Sequence, residues 1–277
     1  MDPSIPRTLF QSFTDTPLPA YLDPSGPPAQ TSSSSSSSLI PQPIPFPLPT
    51  TRYPSSHYIQ LGLATVNQGI MRLSLSNEYV YLREHTMVHL TGRDVLLAAT
   101  LHLLHPIHQA FSFLPSSHFP DQTQSSSEDS TWRGYSSMLY QRVPSLPRTD
   151  LDRPFALLWF LPHGHIVKRE FTDAMDYSRT FRGRSATLMR DVAADSAIKH
   201  RVQYIGLFNW DFMVLIKFPR LNLDPKLTLK QRRDNGVGDS CQIAMLEYDK
   251  ESHHMRAALL GFLMEAYRDC PPVQQSH

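Results

Sequence analysis

The chain is poor in cysteine. Its two cysteines, Cys241 and Cys270, are too few for a disulfide framework or for a metal site with four thiolates. Such scarcity is typical of a reducing compartment. Residues 1–4 lack the basic and apolar regions that begin a secretory signal, and no run of about 18 apolar residues is free of charge. We therefore expect an intracellular protein, cytoplasmic or nuclear, without a membrane partner.

An excess of charge of one sign is also absent. The chain has 26 basic and 25 acidic residues, which gives a formal net charge of +1. Proteins that bind DNA or RNA over a broad surface carry a marked basic excess, because they neutralise phosphates. We therefore expect a protein partner. Nucleic acid is the alternative, and the net charge does not support it.

Common catalytic and cofactor motifs are missing. The phosphate-binding motifs GxxxxGKS/T and GxGxxG, the nucleophile elbow GxSxG and the zinc motif HExxH do not occur. Cys241 begins a predicted strand, where burial would raise its pKa and make it unreactive. We expect no cofactor and no catalytic metal, and the sequence assigns no catalytic residue. The balance is against an enzyme.

A metal-dependent nuclease is the alternative. A restriction-endonuclease-like site needs a carboxylate and an Asp/Glu-x-Lys triplet on adjacent strands, where the carboxylates hold a divalent ion. The one such triplet, residues 224–226, lies in a predicted loop with proline in the middle. Glu247, Asp249 and Lys250 have the right residue types at the wrong spacing. With Asp211 they form the alternative acidic site.

Two groups of histidines are candidate metal ligands. His102, His105 and His108 are three residues apart, but on a helix such a stripe turns by about 60° at each step, and Pro106 interrupts it. We interpret these histidines as the rim of a packed helix. His163 and His165 flank Gly164 in a turn, where they could bind a metal or transfer protons. Turn residues are exposed by default, so simple exposure is the preferred interpretation.

Pro- and Ser-rich composition divides the chain. Residues 1–56 include a serine run at 32–38 and alternating prolines at 41–49, and this predicts a disordered tail with neither helix nor sheet. A second such stretch, about 115–150, predicts a flexible insertion. The globular domain is expected at 57–271, followed by a disordered C-terminus at 272–277.

The domain is organised around residues 202–218. Two apolar runs meet there at a polar break, which predicts a hairpin, and the second run is apolar on both faces. Such a strand belongs in the middle of a covered sheet. We predict an α+β fold with a single mixed or antiparallel sheet and flanking helices. Further strands are predicted at 58–63, 70–75, 79–82, 87–90, 155–161, 166–171 and 242–248, and helices at 93–110, 185–199 and 252–268.

A basic cluster lies in the polar loop 224–239. Lys226, Lys230, Arg232 and Arg233 fall within eight residues and are bounded by two core strands. Rigid strands that hold the ends of a charged loop are a common way to present a binding surface. This loop is the candidate site for an acidic partner surface or for phosphates.

Residues 204–218, followed by 255–267, resemble uncharacterised fungal proteins that carry no catalytic motif. The order of elements also looks somewhat like the restriction-endonuclease-like fold. The first resemblance implies a non-catalytic interaction or accessory protein, serving a secondary-metabolite biosynthetic pathway or a regulatory complex. The second implies a metal-dependent nuclease or an inactive relative of one, and fold alone does not decide activity.

Overall fold

The computed structural model of the chain describes residues 8–19, 49–66, 99–112, 121–126, 135–142, 153–177 and 180–270. Within them, seven strands form one sheet in the order β1-β7-β6-β5-β4-β3-β2. β1 pairs in parallel with β7, and β4 with β5, while the other neighbours are antiparallel. The α+β prediction is confirmed, with a mixed sheet. The strands are β1 (Thr50–Arg52), β2 (Asp121–Ser126), β3 (Ser136–Arg142), β4 (Arg153–Phe160), β5 (Tyr204–Phe208), β6 (Phe212–Lys217) and β7 (Cys241–Glu247).

Helices cover both faces of the sheet. They are α1 (Leu9–Thr14), α2 (Ser55–Val66), α3 (a π-helical turn, Thr100–Leu104, continued by the α-helix His105–Ser112), α4 (Lys168–Tyr177), α5 (Gly183–Thr187, a π-helical stretch Leu188–Ala194, then Asp195–His200), α6 (Leu229–Asn235), α7 (Tyr248–Glu251) and α8 (Met255–Asp269). Helices α1, α2, α3 and α8 share one hydrophobic cluster with the sheet, and α4 and α5 share the other. None of the helices in the described part of the chain has both the length and the apolarity needed to cross a membrane.

The predicted central hairpin is β5 and β6. Its two strands pair from Tyr204 opposite Lys217 to Phe208 opposite Met213. Successive residues of a strand point to opposite faces, so a strand covered on both sides is apolar throughout. Residues of the hairpin that face α8 are Tyr204, Phe208, Met213 and Leu215, and those that face α5 are Ile205, Leu207, Val214 and Ile216.

Helix α3 continues through Pro106. The sequence predicted that this proline bends or ends the helix, whereas helical structure extends to Ser112. Proline has no N–H to donate to the carbonyl four residues earlier, that of His102. That carbonyl accepts a hydrogen bond from Arg256 Nε at 2.7 Å instead. The described part of the predicted helix 93–110 is therefore confirmed.

Two predicted strands are wrong. Residues 58–63 lie in α2, whose buried residues, Tyr58, Gly62, Thr65 and Val66, have the spacing of one helical face. A short alternating pattern imitates a strand when its window is shorter than two helical turns. Residues 166–171 lead into α4 rather than a strand. The predicted turn at 67–69 and the predicted strands at 70–75, 79–82 and 87–90 lie outside the described residues.

The folded domain includes parts of the predicted tail. α1 lies within residues 1–56, and it begins with a capping box in which Thr8 and Gln11 satisfy each other's backbone N–H. Leu9 and Phe13 of this helix are fully buried. β1 pairs with β7, directly after Pro49. Residues 20–48, which hold the serine run, lie outside the described residues, and their disorder stays a prediction.

The predicted insertion also contains regular structure. β2 and β3 fall within residues 115–150 and extend the sheet beyond β4. β2 is rich in Ser and Gln and has little β-propensity, so backbone pairing with β3 places it, whereas β3 buries Tyr140 completely. Tyr135 and Met138 are buried, so this part of the segment packs on the domain. The remainder of the insertion and residues 272–277 lie outside the described residues.

Candidate functional sites

The predicted basic loop contains a helix. α6 begins at a capping box, where Gln231 N donates to Thr228 Oγ1 at 3.3 Å and Thr228 N donates to Gln231 Oε1 at 2.8 Å. The helix ends at Gly236, whose φ of 65° few residues other than glycine adopt. The segment between β6 and β7 is therefore an ordered element with defined ends.

Two of its four basic residues anchor α6 to the domain. Arg232 is buried, and its Nη1 donates to the carbonyls of Ile198 at 3.0 Å and Lys199 at 3.5 Å, in the last turn of α5. A cation is favoured there, because helix C-terminal carbonyls carry partial negative charge. Arg233 Nη2 lies 3.0 Å from Asp195 Oδ1 on the same helix.

The other two basic residues point outward. Lys226 and Lys230 are exposed. Lys199 and Arg201 are exposed at the end of α5, which contacts α6, and loss of solvation and then the charge of Arg201 lower the pKa of Arg232. The structure thus joins the end of α5 and α6 into one surface. This basic surface consists of Lys199, Arg201, Lys226 and Lys230.

The alternative acidic site lies at the carboxyl ends of three strands. β4, β5 and β7 run in the same direction, so the residues that follow them meet at one edge. There His163 Nδ1 lies 2.5 Å from Asp211 Oδ2. One strand away, Glu247 accepts from Lys168 at 2.8 Å and from Lys250 at 3.2 Å. Asp211 and Glu247 are therefore neighbours, and each is paired with basic side chains.

This pairing determines the charge state of Glu247. Burial opposes its ionisation, but hydrogen bonds from Lys168 and Lys250 outweigh burial and lower its pKa. Asp249 is exposed on α7 and does not join the pair. Within the described ranges, no three His, Cys, Asp or Glu side chains converge as metal ligands. The nuclease alternative stays a prediction.

The predicted histidine stripe is divided among different environments. His102 is fully buried, and its ring meets that of Trp210 edge to face at 6.3 Å. His108 Nε2 lies 2.8 Å from the Tyr140 hydroxyl. Burial, and then the charge of His105, lower the pKa of His108 to about 4, so it stays neutral at physiological pH. These contacts fit the preferred interpretation of packed histidines.

The turn histidines also make separate contacts. His163 pairs with Asp211, whereas His165 Nδ1 lies 2.6 Å from the Tyr135 hydroxyl. Burial, and then the charge of Arg184, lower the pKa of His165. The two rings therefore act on different neighbours rather than on one shared point.

The sequence missed a polar network at the opposite edge of the sheet. Lys217 Nζ donates to Glu265 Oε1 and to Asp269 Oδ2, both at 2.9 Å, and Tyr204 OH donates to the same two carboxylates. His57 Nε2, on α2, lies 2.8 Å from Glu265 Oε2. The network therefore ties α8 to the central hairpin and to α2. Lys217 was the signal, because it alone interrupts an apolar strand face.

The network keeps its phenol protonated and its carboxylate ionised. Burial, and then the hydrogen bond to Asp269, raise the pKa of Tyr204 well above its usual range. Burial opposes ionisation of Asp269, but hydrogen bonds from Tyr204 and Lys217 outweigh it and lower the pKa of Asp269. The phenol remains a donor and the carboxylate remains charged. Such an arrangement is a structural anchor.

Cys241 follows the prediction from the sequence. It is fully buried, and burial raises its pKa to about 11 although a contact with Thr50 Oγ1 opposes the shift. A thiol of this kind is a packing residue, because the thiolate is the reactive form.

No protein-family model, curated protein or solved structure matches the chain. The resemblances to fungal proteins and to restriction-endonuclease-like proteins therefore stay predictions.

Proposed function

We propose that this protein is a non-catalytic interaction protein, an accessory member of a larger complex, and that it binds an acidic segment of a partner protein on its basic surface. The observation that carries this proposal is that the basic residues of the segment between β6 and β7 fall into two anchoring arginines and two exposed lysines. Arg232 and Arg233 hold the helix on α5, while Lys226 and Lys230 stay exposed.

Support comes first from rigidity. Binding a charged segment costs less when the receptor's side chains stand on an ordered scaffold, since less backbone must be fixed on association. α6 has a capped start, a glycine end and two arginine anchors. Lys230 therefore projects from a fixed backbone, and Lys226 lies in the turn before α6, where its N–H donates to Asp224 Oδ1 at 2.9 Å.

Support comes also from charge. Four cations form the basic surface. Other cations of the domain, such as Lys168 and Lys217, are instead paired with carboxylates. Acidic residues share this region: Asp195 is engaged by Arg233, and Asp224 and Asp234 are exposed. Complementary charge mainly raises the association rate and selects partners. An acidic peptide is therefore the favoured partner chemistry.

The test uses defined probes and the full chain. A fluorescently labelled oligoglutamate peptide and a labelled DNA duplex are titrated against the wild type and against Lys226→Glu/Lys230→Glu. We expect the peptide to bind, with an affinity that falls as salt rises, and the variant to lose most of this binding. If the duplex binds, the logarithm of its binding constant should fall against the logarithm of the salt concentration with a slope of about 0.9 for each phosphate neutralised.

A matched control has the same change in net charge. Arg169→Glu/Arg268→Glu reverses two exposed cations outside the basic surface, and we expect it to bind like the wild type. Equal losses in both double variants would show attraction by net charge alone and would refute a defined surface. Alanine substitution of Arg232 is unsuitable here, because it removes an anchor of α6 as well as a charge.

A further inference from the structure

Residues 8–19 occupy a groove on the opposite side of the domain from α4 and α5. The groove is formed by α3, α8 and the tip of the β5–β6 hairpin. Leu9, Phe13 and Leu18 of the segment are at most 1% exposed. We call residues 8–19 the N-terminal arm.

Side chains of the domain bind the backbone of this arm. Arg256 Nη1 donates to the carbonyls of Ser12 at 2.9 Å and Thr16 at 2.5 Å. The Ser12 carbonyl belongs to the last turn of α1, where helix acceptors lack partners within the helix, and the Thr16 carbonyl lies just past the end of α1. Arg256 is itself fully buried and is fixed by its bond to the His102 carbonyl. The guanidinium is therefore placed to recognise the end of a short helix.

The last residues of the arm are bound in the same way. Trp210 Nε1 donates to the Pro19 carbonyl at 2.9 Å, and Tyr248 OH donates to the Leu18 carbonyl at 2.9 Å. Trp210 has a left-handed backbone, with φ of 74°, which is costly for a bulky residue and recurs at functional sites. Proteins bind peptides in the same way, with hydrogen bonds to the main chain for affinity and buried apolar side chains for specificity.

The arm also satisfies several of its own polar groups, while its Leu18 N–H donates to the Ser252 carbonyl at 3.4 Å. Thr8 and Gln11 cap the start of α1, and Ser12 Oγ donates to the Leu9 carbonyl at 2.6 Å. Thr16 Oγ1 donates to the Gln11 carbonyl at 3.1 Å. Because the arm caps its own helix, the groove is the only further contact that it needs in order to fold. The arm can therefore bind and dissociate as one segment.

From these contacts we propose that the groove is a peptide-recognition site whose ligand is the N-terminal arm, and that the arm of a second copy of the chain can fill it. The ligand is a short capped helix with apolar anchors at the spacing of residues 9, 13 and 18. This proposal does not rest on the basic surface.

The connection between arm and domain permits exchange. Residues 20–48 join them, and a chain of that length reaches about 100 Å when fully extended. The binding residues, from His102 to Arg256, are all distant from the arm in sequence. The same contacts therefore form whichever copy supplies the arm, which is the usual basis of domain swapping. Tethering gives the chain's own arm an effective concentration in the millimolar range, so exchange between intact copies needs concentrated protein.

The experiment separates the arm after folding. A protease site is placed in the serine run 32–38 of the full chain, and the folded protein is cut. We expect the arm to stay bound through gel filtration and a labelled synthetic peptide of residues 8–19 to exchange with it. A peptide with Phe13→Ala should compete at least about 100-fold less well, from the usual cost of removing a buried phenyl group.

Two further measurements decide the details. Tyr248→Phe removes one hydrogen bond to the arm, and it should release the labelled peptide about fivefold faster without unfolding the domain. Two intact copies with different tags, mixed at about millimolar concentration, should co-purify. Loss of the arm on cutting, or no entry of the labelled peptide, would overturn the recognition site. Peptide entry without co-purification would overturn the second copy as its occupant.

Discussion

The contact between α2 and α8 gives the sharpest test of the packing. Gly62 and Gly261 lie at this contact, where the two backbones approach closely. A Cβ placed on Gly62 would lie 1.9 Å from the Ala257 carbonyl oxygen, and one on Gly261 would lie 2.0 Å from the Tyr58 carbonyl oxygen. Real Cβ atoms essentially never approach other atoms closer than 3.0 Å. Either alanine therefore forces the helices apart by about 1 Å.

The sign of the effect distinguishes packing from propensity. In an isolated helix, alanine is better than glycine by about 1 kcal/mol, so propensity alone predicts that both variants are more stable. Overpacking of a core typically costs about 1–3 kcal/mol, and here the obstacle is backbone, which cannot change rotamer. Subtracting the propensity gain from the upper part of this range, we expect Gly62→Ala and Gly261→Ala each to lower the free energy of unfolding by about 1–2 kcal/mol.

The assay is urea denaturation, with unfolding monitored by circular dichroism. Gln60→Ala, at an exposed position of α2, is the control and should change the free energy of unfolding by less than about 0.5 kcal/mol. The double variant should cost less than the sum of the single variants, because one separation of the helices relieves both clashes. If Gly62→Ala or Gly261→Ala were as stable as Gln60→Ala, the close approach of α2 and α8 would be refuted.

Three further predictions follow. Asp269→Asn should lower the urea midpoint at neutral pH. Because the pKa of Asp269 is lowered in the folded state, its contribution to stability is present above the unfolded pKa of about 4 and is lost as pH falls through the folded pKa. The difference in midpoint from wild type should therefore shrink in acid, and a constant difference would contradict the network. Arg201 has φ of 57°, so Arg201→Gly should raise the free energy of unfolding by about 1 kcal/mol while Arg201→Ala, which removes the same charge, should not; equal effects on denaturation would exclude backbone strain. Cys241 has a pKa raised to about 11, so only about one thiol in a thousand is ionised at about pH 8, and iodoacetamide followed by mass spectrometry should modify it in urea but not in the folded protein; rapid modification without urea would contradict its burial.

Several elements could be predicted because their signals are local. The central hairpin, β4, β7, α5 and α8 have long apolar patterns, which specify both the element and its burial. Met255, Leu259 and Phe262 recur at helical spacing in α8 and are buried. This helix is in fact buried nearly all round, because α1, α2 and α3 cover the sides that the sheet leaves open.

Other elements depend on partners far along the chain. α1 and β1 lie in a Pro- and Ser-rich stretch, and they are ordered by Arg256 and by β7, which the local sequence does not contain. Likewise, β2 and β3 depend on β4 for their hydrogen bonds. Composition reports local preference, and such segments are placed by contacts that outweigh it.

The basic surface was predicted in part. Sequence proximity grouped Lys226, Lys230, Arg232 and Arg233, but proximity cannot tell an anchor from an exposed charge. The end of α5 decides that difference, since its carbonyls bury Arg232. Lys199 and Arg201 join the surface only through this contact between α5 and α6.

By itself, the sequence determined the α+β class and the apolar centre of the sheet, because apolar periodicity follows from the geometry of strands and helices. It also determined the burial of Cys241, through its place at the start of a core strand. Tertiary structure alone decided that 58–63 is helical, that residues 8–19 belong to the core, and that Lys217 anchors two carboxylates. Each of these outcomes depends on residues distant in sequence, and only the folded chain brings those residues within contact.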